Sequence, residues 1–169
     1  HIQTNPSGFE RVFTYRDYRV VDAEGKTLVE AATTWVLFNT ETRRPCRIPA
    51  WISERAPLTA ALPALPRPVS KLSDWSGEGH SYPLTVGWHD LDFNWHLNNS
   101  HYLRLLLDSV PVDVLKAYKP KLIQLHYQTE ASLGDPLLAE STKVADNHYQ
   151  HRLMRGTQAL AVAESTWTE

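Results

Sequence analysis

Segments rich in β-branched and aromatic residues alternate with turn signals along most of the chain, a pattern typical of β-strands. The first two segments, residues 9–21 and 27–39, flank the turn signal Asp22-Ala-Glu-Gly25 and are predicted to form a hairpin. A short helix is predicted within residues 48–58, where apolar side chains precede a change in composition.

A proline-rich stretch divides the chain. Its prolines interrupt regular structure at four positions, Pro57, Pro63, Pro66 and Pro68. Residues 55–79 are therefore interpreted as a linker. It would separate residues 1–54, predicted to be the C-terminal part of a first domain, from a second domain at 80–169.

The second domain is predicted to combine a helix with an antiparallel sheet. Strands are predicted over residues 80–89, 121–132, 136–145, 148–155 and 159–167, and helical structure over 98–109 and 111–118. In the first helix, the spacing i, i+3, i+4, i+7 predicts a buried face formed by Leu103, Leu106, Leu107 and Val110. One helix followed by a meander of strands indicates an α+β fold, with the sheet wrapped on the helix.

Two segments resemble each other and indicate a duplication. Residues 28–35 (LVEAATTW) are similar to residues 160–167 (LAVAESTW), an offset of 167 − 35 = 132 residues. So long a period indicates a repeated domain rather than a solenoid. The counterpart of residue 80 would precede His1, so the chain is predicted to begin partway through its first domain.

Composition and charge exclude several classes of protein. The net charge of −2 argues against a nucleic-acid partner. No apolar run approaches the length of a membrane span, which argues against a membrane partner. Cys46 is the single cysteine, so the chain cannot form an internal disulfide, in agreement with a reducing compartment.

The candidate chemistry lies in residues 88–102, which read WHDLDFNWHLNNSHY. Asp92, Asn94 and His96 occupy alternate positions, so in an extended segment their side chains would project to the same side. Asn98 and Asn99 are favourable helix N-caps. A carboxylate, an amide and an imidazole would then meet beside the free N–H groups of a helix N-terminus. Such a site can polarise a carbonyl and activate water.

The residues alone leave other interpretations open. Asp90, Asp92 and Asn94 imitate the start of a calcium-binding EF-hand loop, but the loop lacks its glycine and its final glutamate. The spacing of the nearby histidines does not match a helical zinc pair, and no cysteine supports one. No metal is therefore predicted. A solvated loop that caps a helix remains an alternative to a catalytic site.

The loop resembles a family signature. Asp90-Leu-Asp92-Phe-Asn94-Trp-His96-Leu-Asn98-Asn99, followed by Tyr102, is similar to the D-x-D-x-N-x-H-V-N-N-x-x-Y motif of acyl-ACP thioesterases of the bacterial type. Residues 16–25, 35–37, 43–44 and 48–49 resemble the first domain of that family. Residues 127–135, which contain Glu130, resemble the segment that supplies its catalytic acid.

The resemblance implies a fold and an activity. The fold would be a double hot-dog, with an antiparallel sheet wrapped around a long central helix and a first domain incomplete at its N-terminus. The activity would be hydrolysis of fatty acyl-acyl carrier protein to free fatty acid and carrier, a step of fatty acid biosynthesis. No cofactor is implied beyond the phosphopantetheine of the substrate. The compartment would be the cytoplasm, or the plastid in a plant.

The resemblance implies that Asp92, Asn94, His96 and Glu130 form the catalytic set, and we hypothesise the following division of roles. Glu130, with His96, would deprotonate water as a general base. Asn94 would hold the water or the thioester carbonyl, and Asp92 would fix the Asn94 amide. The oxyanion would be stabilised by backbone N–H groups at the helix start, those of Leu97, Asn98 and Asn99. The alternation of strand residues predicts that Glu130 shares a face with Gln124 and His126, and which carboxylate activates water is left open.

The chain departs from the family pattern at three positions. Leu97 replaces valine, Trp95 stands where glycine or glutamine is common, and Ala131 stands where plant members carry a cysteine. A covalent cysteine route is therefore not expected at position 131.

Basic side chains that would suit an acidic carrier protein occur in two clusters, Arg43, Arg44 and Arg47, and Lys116, Lys119 and Lys121. The alternatives to an acyl-ACP thioesterase are a hydrolase of acyl-CoA and a non-catalytic protein that binds acyl thioesters. A homodimer is left open, and the preferred acyl chain length cannot be read from these residues.

Overall fold

The structure, a computed structural model, describes residues 1–55, 63–67 and 71–169. They belong to two compact units, His1–Val69 and Ser70–Glu169. Parts of the predicted linker and of the predicted helix at 48–58 lie outside the described residues. The predicted domain boundaries and the missing N-terminal segment stay predictions.

The first unit contains an antiparallel sheet of three strands in the order β1-β2-β3. Its elements are β1 (Ile2–Glu10), β2 (Phe13–Val21), β3 (Thr27–Val36), the short pair β4 (Phe38–Asn39) and β5 (Arg44–Pro45), and helix α1 (Ala50–Arg55). The hairpin between β2 and β3 is confirmed. In its turn, Gly25 adopts φ 85°, and the Asp22 carboxylate accepts hydrogen bonds from two backbone amides.

The prediction of a single strand over residues 9–21 is wrong. The chain turns at Arg11, where φ is 52°, and residues 2–10 form a further strand, β1. Pro6 and Gly8 resemble turn signals in the sequence, yet β1 is an edge strand whose register shifts between these two residues. An edge strand tolerates proline and an irregularity because one side needs no ladder hydrogen bonds.

Residues 63–67 of the predicted linker pack against β2. The carboxylate of Asp17, fully buried, accepts hydrogen bonds from the Leu65 amide and the Ser7 hydroxyl. Arg19 donates to the carbonyl of Pro63 at 2.7 Å. These contacts fix the described linker segment to the first sheet.

The second unit is built on a five-stranded antiparallel sheet with the strand order β6-β8-β9-β10-β7. Its elements are β6 (His80–Thr85), a 3₁₀ turn (Trp88–Asp90), α2 (Asn99–Leu107), α3 (Val112–Ala117), β7 (Lys119–Tyr127), β8 (Pro136–Ala145), β9 (His148–Arg155) and β10 (Gln158–Thr168). The α+β character and the antiparallel meander are confirmed. Helix α2 contacts β8 and β9 and has nine residues, shorter than the long central helix that the resemblance implies.

The predicted buried face of α2 is confirmed at Leu106 and at Val110, just beyond the helix, but the helix otherwise buries a different set of residues. Its buried side chains are Tyr102, Leu105 and Leu106, whereas Leu103 and Leu107 are only half-buried. The predicted face counted aliphatic residues alone and therefore missed the tyrosine. The aliphatic core around this face also includes Val86, directly after β6, and residues of the strands, among them Leu137, Leu153 and Leu160.

Gly79 is a position where a side chain cannot fit. A Cβ at Gly79 would clash with the backbone oxygen of Ser141, whose strand pairs with β6 directly after Gly79. We expect Gly79→Ala to lower the free energy of unfolding by about 1–3 kcal/mol, measured by urea denaturation, because the β6–β8 pair must separate. Gly87→Ala is the matched control, with φ −93° and a nearest contact of 3.4 Å. Equal losses in the two variants would contradict this steric explanation.

Candidate active site

Asp92 organises the backbone of its own loop. Its Oδ1 accepts hydrogen bonds from the backbone N–H of Asn94 at 2.8 Å and of His96 at 3.2 Å. The Asp92 N–H donates to the carbonyl of His96, and the Trp95 N–H to that of Asp92. The expected contact between Asp92 and the Asn94 side-chain amide is therefore wrong. That side chain is exposed and hydrogen-bonds no other residue in the described part of the chain.

The structure brings Glu130 to His96. The Glu130 Oε2 lies 3.5 Å from the His96 Nδ1, beyond the length of a strong hydrogen bond but within range of direct electrostatic attraction. The side chains of His96 and Glu130 are 38% and 46% exposed, so water can reach both groups. Catalytic hydrogen bonds are often long before substrate binds.

The path of Glu130 differs from the prediction. Strand β7 ends at Tyr127, and the amides of Gln128 and Thr129 both donate to the carbonyl of Leu160. The alternation of strand residues stops there, so it does not set the direction of Glu130. A loop carries Glu130 to the imidazole.

Asp135 holds the end of the Glu130 loop. Its Oδ2 accepts hydrogen bonds from the Ser132 amide at 2.9 Å and from Arg155 at 2.6 Å. The Ser132 amide, together with the charge of Arg155, places the pKa of Asp135 below its usual value. Gly134 adopts φ 83° within this turn. No local sequence pattern indicated a role for Asp135 or Arg155.

The predicted cap of α2 is confirmed, and the predicted oxyanion donors are corrected. Asn98 is the N-cap, and its Oδ1 accepts from the Ser100 amide at 2.9 Å. The Leu97 N–H donates to the Ala131 carbonyl and the Asn98 N–H to the Asp90 carbonyl, so neither is free for an oxyanion. Of the three predicted donors, the Asn99 N–H alone has no hydrogen bond to a described residue.

Asp90 joins the 3₁₀ turn to α2, a role that the sequence analysis missed. One carboxylate oxygen contacts His101 Nδ1 at 3.0 Å and accepts from Arg104 at 2.6 Å, while the other accepts from the Gly87 amide. Burial raises the pKa of Asp90, but the Gly87 amide, His101 and Arg104 outweigh it, so the pKa lies below its usual value. Asp90 is therefore a charged anchor at the start of the candidate site.

Comparison with known proteins identifies the family. The model of the acyl-ACP thioesterase C-terminal domain matches residues 75–169, and that of the N-terminal domain matches residues 1–55. The chain belongs to the acyl-ACP thioesterase family. Both family domains are thus represented in this chain.

Two curated relatives are plant members of the thioesterase family. The chain is 33% identical to a chloroplastic palmitoyl-acyl carrier protein thioesterase of Arabidopsis thaliana over 147 residues, which cover 84% of this chain and 34% of the relative. It is 31% identical to the protein of the same description from Gossypium hirsutum, with 83% and 35% covered. The chain thus spans about a third of the length of these curated relatives.

A solved thioesterase structure shares the fold. The 12:0-ACP thioesterase of Umbellularia californica superposes with a TM-score of 0.84, covering 99% of this chain and 66% of that chain at 23% sequence identity. At 23% sequence identity, this similarity is evidence for the fold alone.

One departure from the thioesterase motif falls at a backbone conformation that favours glycine. Trp95 adopts φ 65°, in the left-handed region that favours glycine. It stands where glycine or glutamine is common in the family motif. Trp95 meets Trp88 edge to face with 5.2 Å between ring centroids, and both rings are mostly exposed. Phe93 in the same loop is also exposed. The loop therefore presents aromatic side chains beside the candidate catalytic groups.

The two basic clusters lie on different units. The exposed side chains are Arg43, Arg44 and Arg47 in the first unit, and Lys116, Lys119 and Lys121 in the second. Arg43 lies over the ring of Phe38.

Among the described residues, no helix is both long and apolar enough to span a membrane.

Proposed function

We propose that the protein containing this chain hydrolyses fatty acyl-acyl carrier protein to free fatty acid and carrier. The observation that carries the proposal is the 3.5 Å approach of His96 and Glu130 beside the N-terminus of α2. An imidazole and a carboxylate, both open to water, are suited to general-base catalysis. Membership of the acyl-ACP thioesterase family supports the choice of substrate.

The reaction divides among four side chains and one backbone group. The His96–Glu130 pair accepts a proton from water as the water oxygen attacks the thioester carbonyl carbon. Asn94 and the Asn99 N–H stabilise the resulting oxyanion. The C–S bond then breaks, the phosphopantetheine thiolate receives the proton, and the fatty acid is released. Asp92 acts on this reaction indirectly. Its carboxylate accepts hydrogen bonds from the backbone N–H groups of Asn94 and His96 and so fixes the loop that carries His96.

Membership of the family also supports proposals about the fold and about the carrier protein. We propose a double hot-dog architecture. The acidic carrier protein would dock on the two basic clusters, and the reaction would need no metal or cofactor of its own. A homodimer and a cytoplasmic or plastid location are further parts of the proposal.

The test is a panel of acyl-ACP and acyl-CoA thioesters of matched chain length, with free acid measured for the wild-type protein and for Asp92→Ala. We expect turnover on acyl-ACP that exceeds turnover on acyl-CoA and is lost in the variant, because the loop that carries His96 loses its two carboxylate hydrogen bonds. Binding of acyl-ACP without hydrolysis by a folded protein would replace the enzyme proposal with an acyl-binding function. Faster turnover of acyl-CoA than of acyl-ACP would identify coenzyme A as the preferred carrier.

A further inference from the structure

Two tyrosines join the Glu130 loop to the first turns of α2. Tyr127, the last residue of β7, donates a hydrogen bond to the carbonyl of Asn99 at 3.0 Å. Tyr102, on α2, donates to the carbonyl of Thr129 at 3.2 Å. Their rings meet edge to face, with 5.3 Å between centroids. Each element thus donates a hydroxyl to the backbone of the other.

We propose that the hydroxyl groups of Tyr102 and Tyr127 are positioning groups that hold Glu130 at its working distance from His96. This inference rests on the proposed hydrolysis and adds two residues to its site. Neither tyrosine contacts the reacting atoms in the proposed reaction. Both act through the backbone on either side of the His96–Glu130 pair.

The need for such positioning follows from the path of the chain. Glu130 and His96 are 130 − 96 = 34 residues apart, and Glu130 lies beyond the last regular residue of β7. The carbonyl before Glu130, that of Thr129, is held by Tyr102, and the carbonyl after it, that of Ala131, is held by the Leu97 amide. Glu130 is therefore fixed from both sides to the segment that carries His96.

The Tyr102 hydroxyl is suited to this role because it remains a donor. Tyr102 is 2% exposed, and burial raises its pKa. A backbone hydrogen bond from Ala131 lowers the pKa by less, and the negative charge of Glu130 adds to the increase. Partial burial also raises the pKa of Tyr127. Both hydroxyls therefore keep their protons near neutral pH. Removal of the buried hydroxyl leaves the Thr129 carbonyl without that donor.

The experiment compares Tyr102→Phe and Tyr127→Phe with Tyr82→Phe, which changes a half-exposed tyrosine of β6. We expect Tyr102→Phe to lower kcat by about 10–100-fold, because small displacements at a catalytic pair are costly, with little change in KM. Tyr127→Phe should have a smaller effect in the same direction, and Tyr82→Phe should match the wild type. Wild-type kcat in both Tyr102→Phe and Tyr127→Phe would overturn the proposal.

The same substitutions in a Glu130→Gln background separate positioning from general destabilisation. If the tyrosines act through Glu130, they should change the residual rate by less than about twofold once the carboxylate is absent, since coupled residues are non-additive. A full additional loss in that background would overturn the proposal.

A second readout does not require turnover. The ¹⁵N chemical shift of His96 Nδ1 reports on its interaction with Glu130, so Tyr102→Phe should move it while Tyr82→Phe should not. An unchanged shift would contradict the positioning role. A wild-type protein that binds acyl-ACP without hydrolysis would contradict the proposed function alone, because the chemical-shift test would still decide the role of Tyr102.

Discussion

Replacing Glu130 with glutamine is expected to lower kcat for acyl-ACP hydrolysis by about 100-fold or more, the usual size of a general-base effect. Glutamine preserves the size and shape of the side chain but cannot accept the proton of the attacking water. Glu130 is the carboxylate that faces the His96 ring, whereas Asp92 directs one oxygen to two backbone amides. The measurement is kcat at saturating acyl-ACP, with substrate binding determined separately.

Two variants make this result specific. Glu24→Gln applies the same chemical change to an exposed residue in the β2–β3 turn and should leave kcat unchanged. Asp92→Asn keeps an oxygen that can accept both backbone hydrogen bonds, so it should retain at least about tenfold more activity than Asp92→Ala, in which the loop loses them. A Glu130→Gln enzyme with near-normal kcat would remove Glu130 from the mechanism. Equal losses in Asp92→Asn and Asp92→Ala would give the charge of Asp92 a direct part in it.

Local sequence patterns predicted the elements that depend on interactions between residues close together in the sequence. Strands β8 and β9 were predicted with the bounds that the structure shows, because turn residues separate two segments of β-forming residues. Asn98 was predicted as a cap because its side chain can reach the nearby amide of Ser100. Asp92, Asn94 and His96 were recognised as candidate groups, but the prediction that they lie on an extended segment is wrong. The Trp95 N–H donates to the Asp92 carbonyl and the Asp92 N–H to the His96 carbonyl, so these residues form a tight turn.

The remaining features depend on contacts between distant residues. The sequence could not reveal that the Leu97 amide is occupied by the Ala131 carbonyl, which lies 131 − 97 = 34 residues away. The end of β7 depends on the carbonyl of Leu160, which accepts two successive amides and releases Glu130 from the strand. Pairing across the fold decides such features, so neither alternation nor helical periodicity predicts them.

The second large effect is expected on the pH dependence of stability, and it arises from a buried histidine outside the candidate site. His151 on β9 is 2% exposed, and its Nε2 lies 2.7 Å from the Ser165 hydroxyl, which also accepts from Trp167. Its Nδ1 is buried and has no hydrogen-bond partner among the described residues. Burial, with a smaller contribution from the charge of His148, lowers the pKa of His151 to about 4. The folded protein therefore resists protonation of this ring.

Between about pH 6.5 and 4.5, acidification is expected to destabilise the fold mainly through His151. The unfolded chain binds a proton at His151 below its ordinary pKa, so stability present above about pH 6.5 is lost as the pH falls toward 4. The loss should reach roughly 2–3 kcal/mol at pH 4.5, measured as the free energy of unfolding in urea from pH 7.5 downward. Asp90 and Asp135 have lowered pKa values, so their stabilisation is lost only at more acidic pH.

The slope of stability against pH, rather than its value at one pH, identifies His151 as the cause. His151→Gln removes the titrating ring and should flatten the decline between pH 6.5 and 4.5, even if packing around Ser165 and Trp167 is weakened at every pH. His80→Gln, which changes an exposed histidine at the start of β6, should keep the wild-type slope. A decline that persists unchanged in His151→Gln would assign the acid sensitivity to other groups, because a ring that does not titrate cannot produce a pH-dependent term.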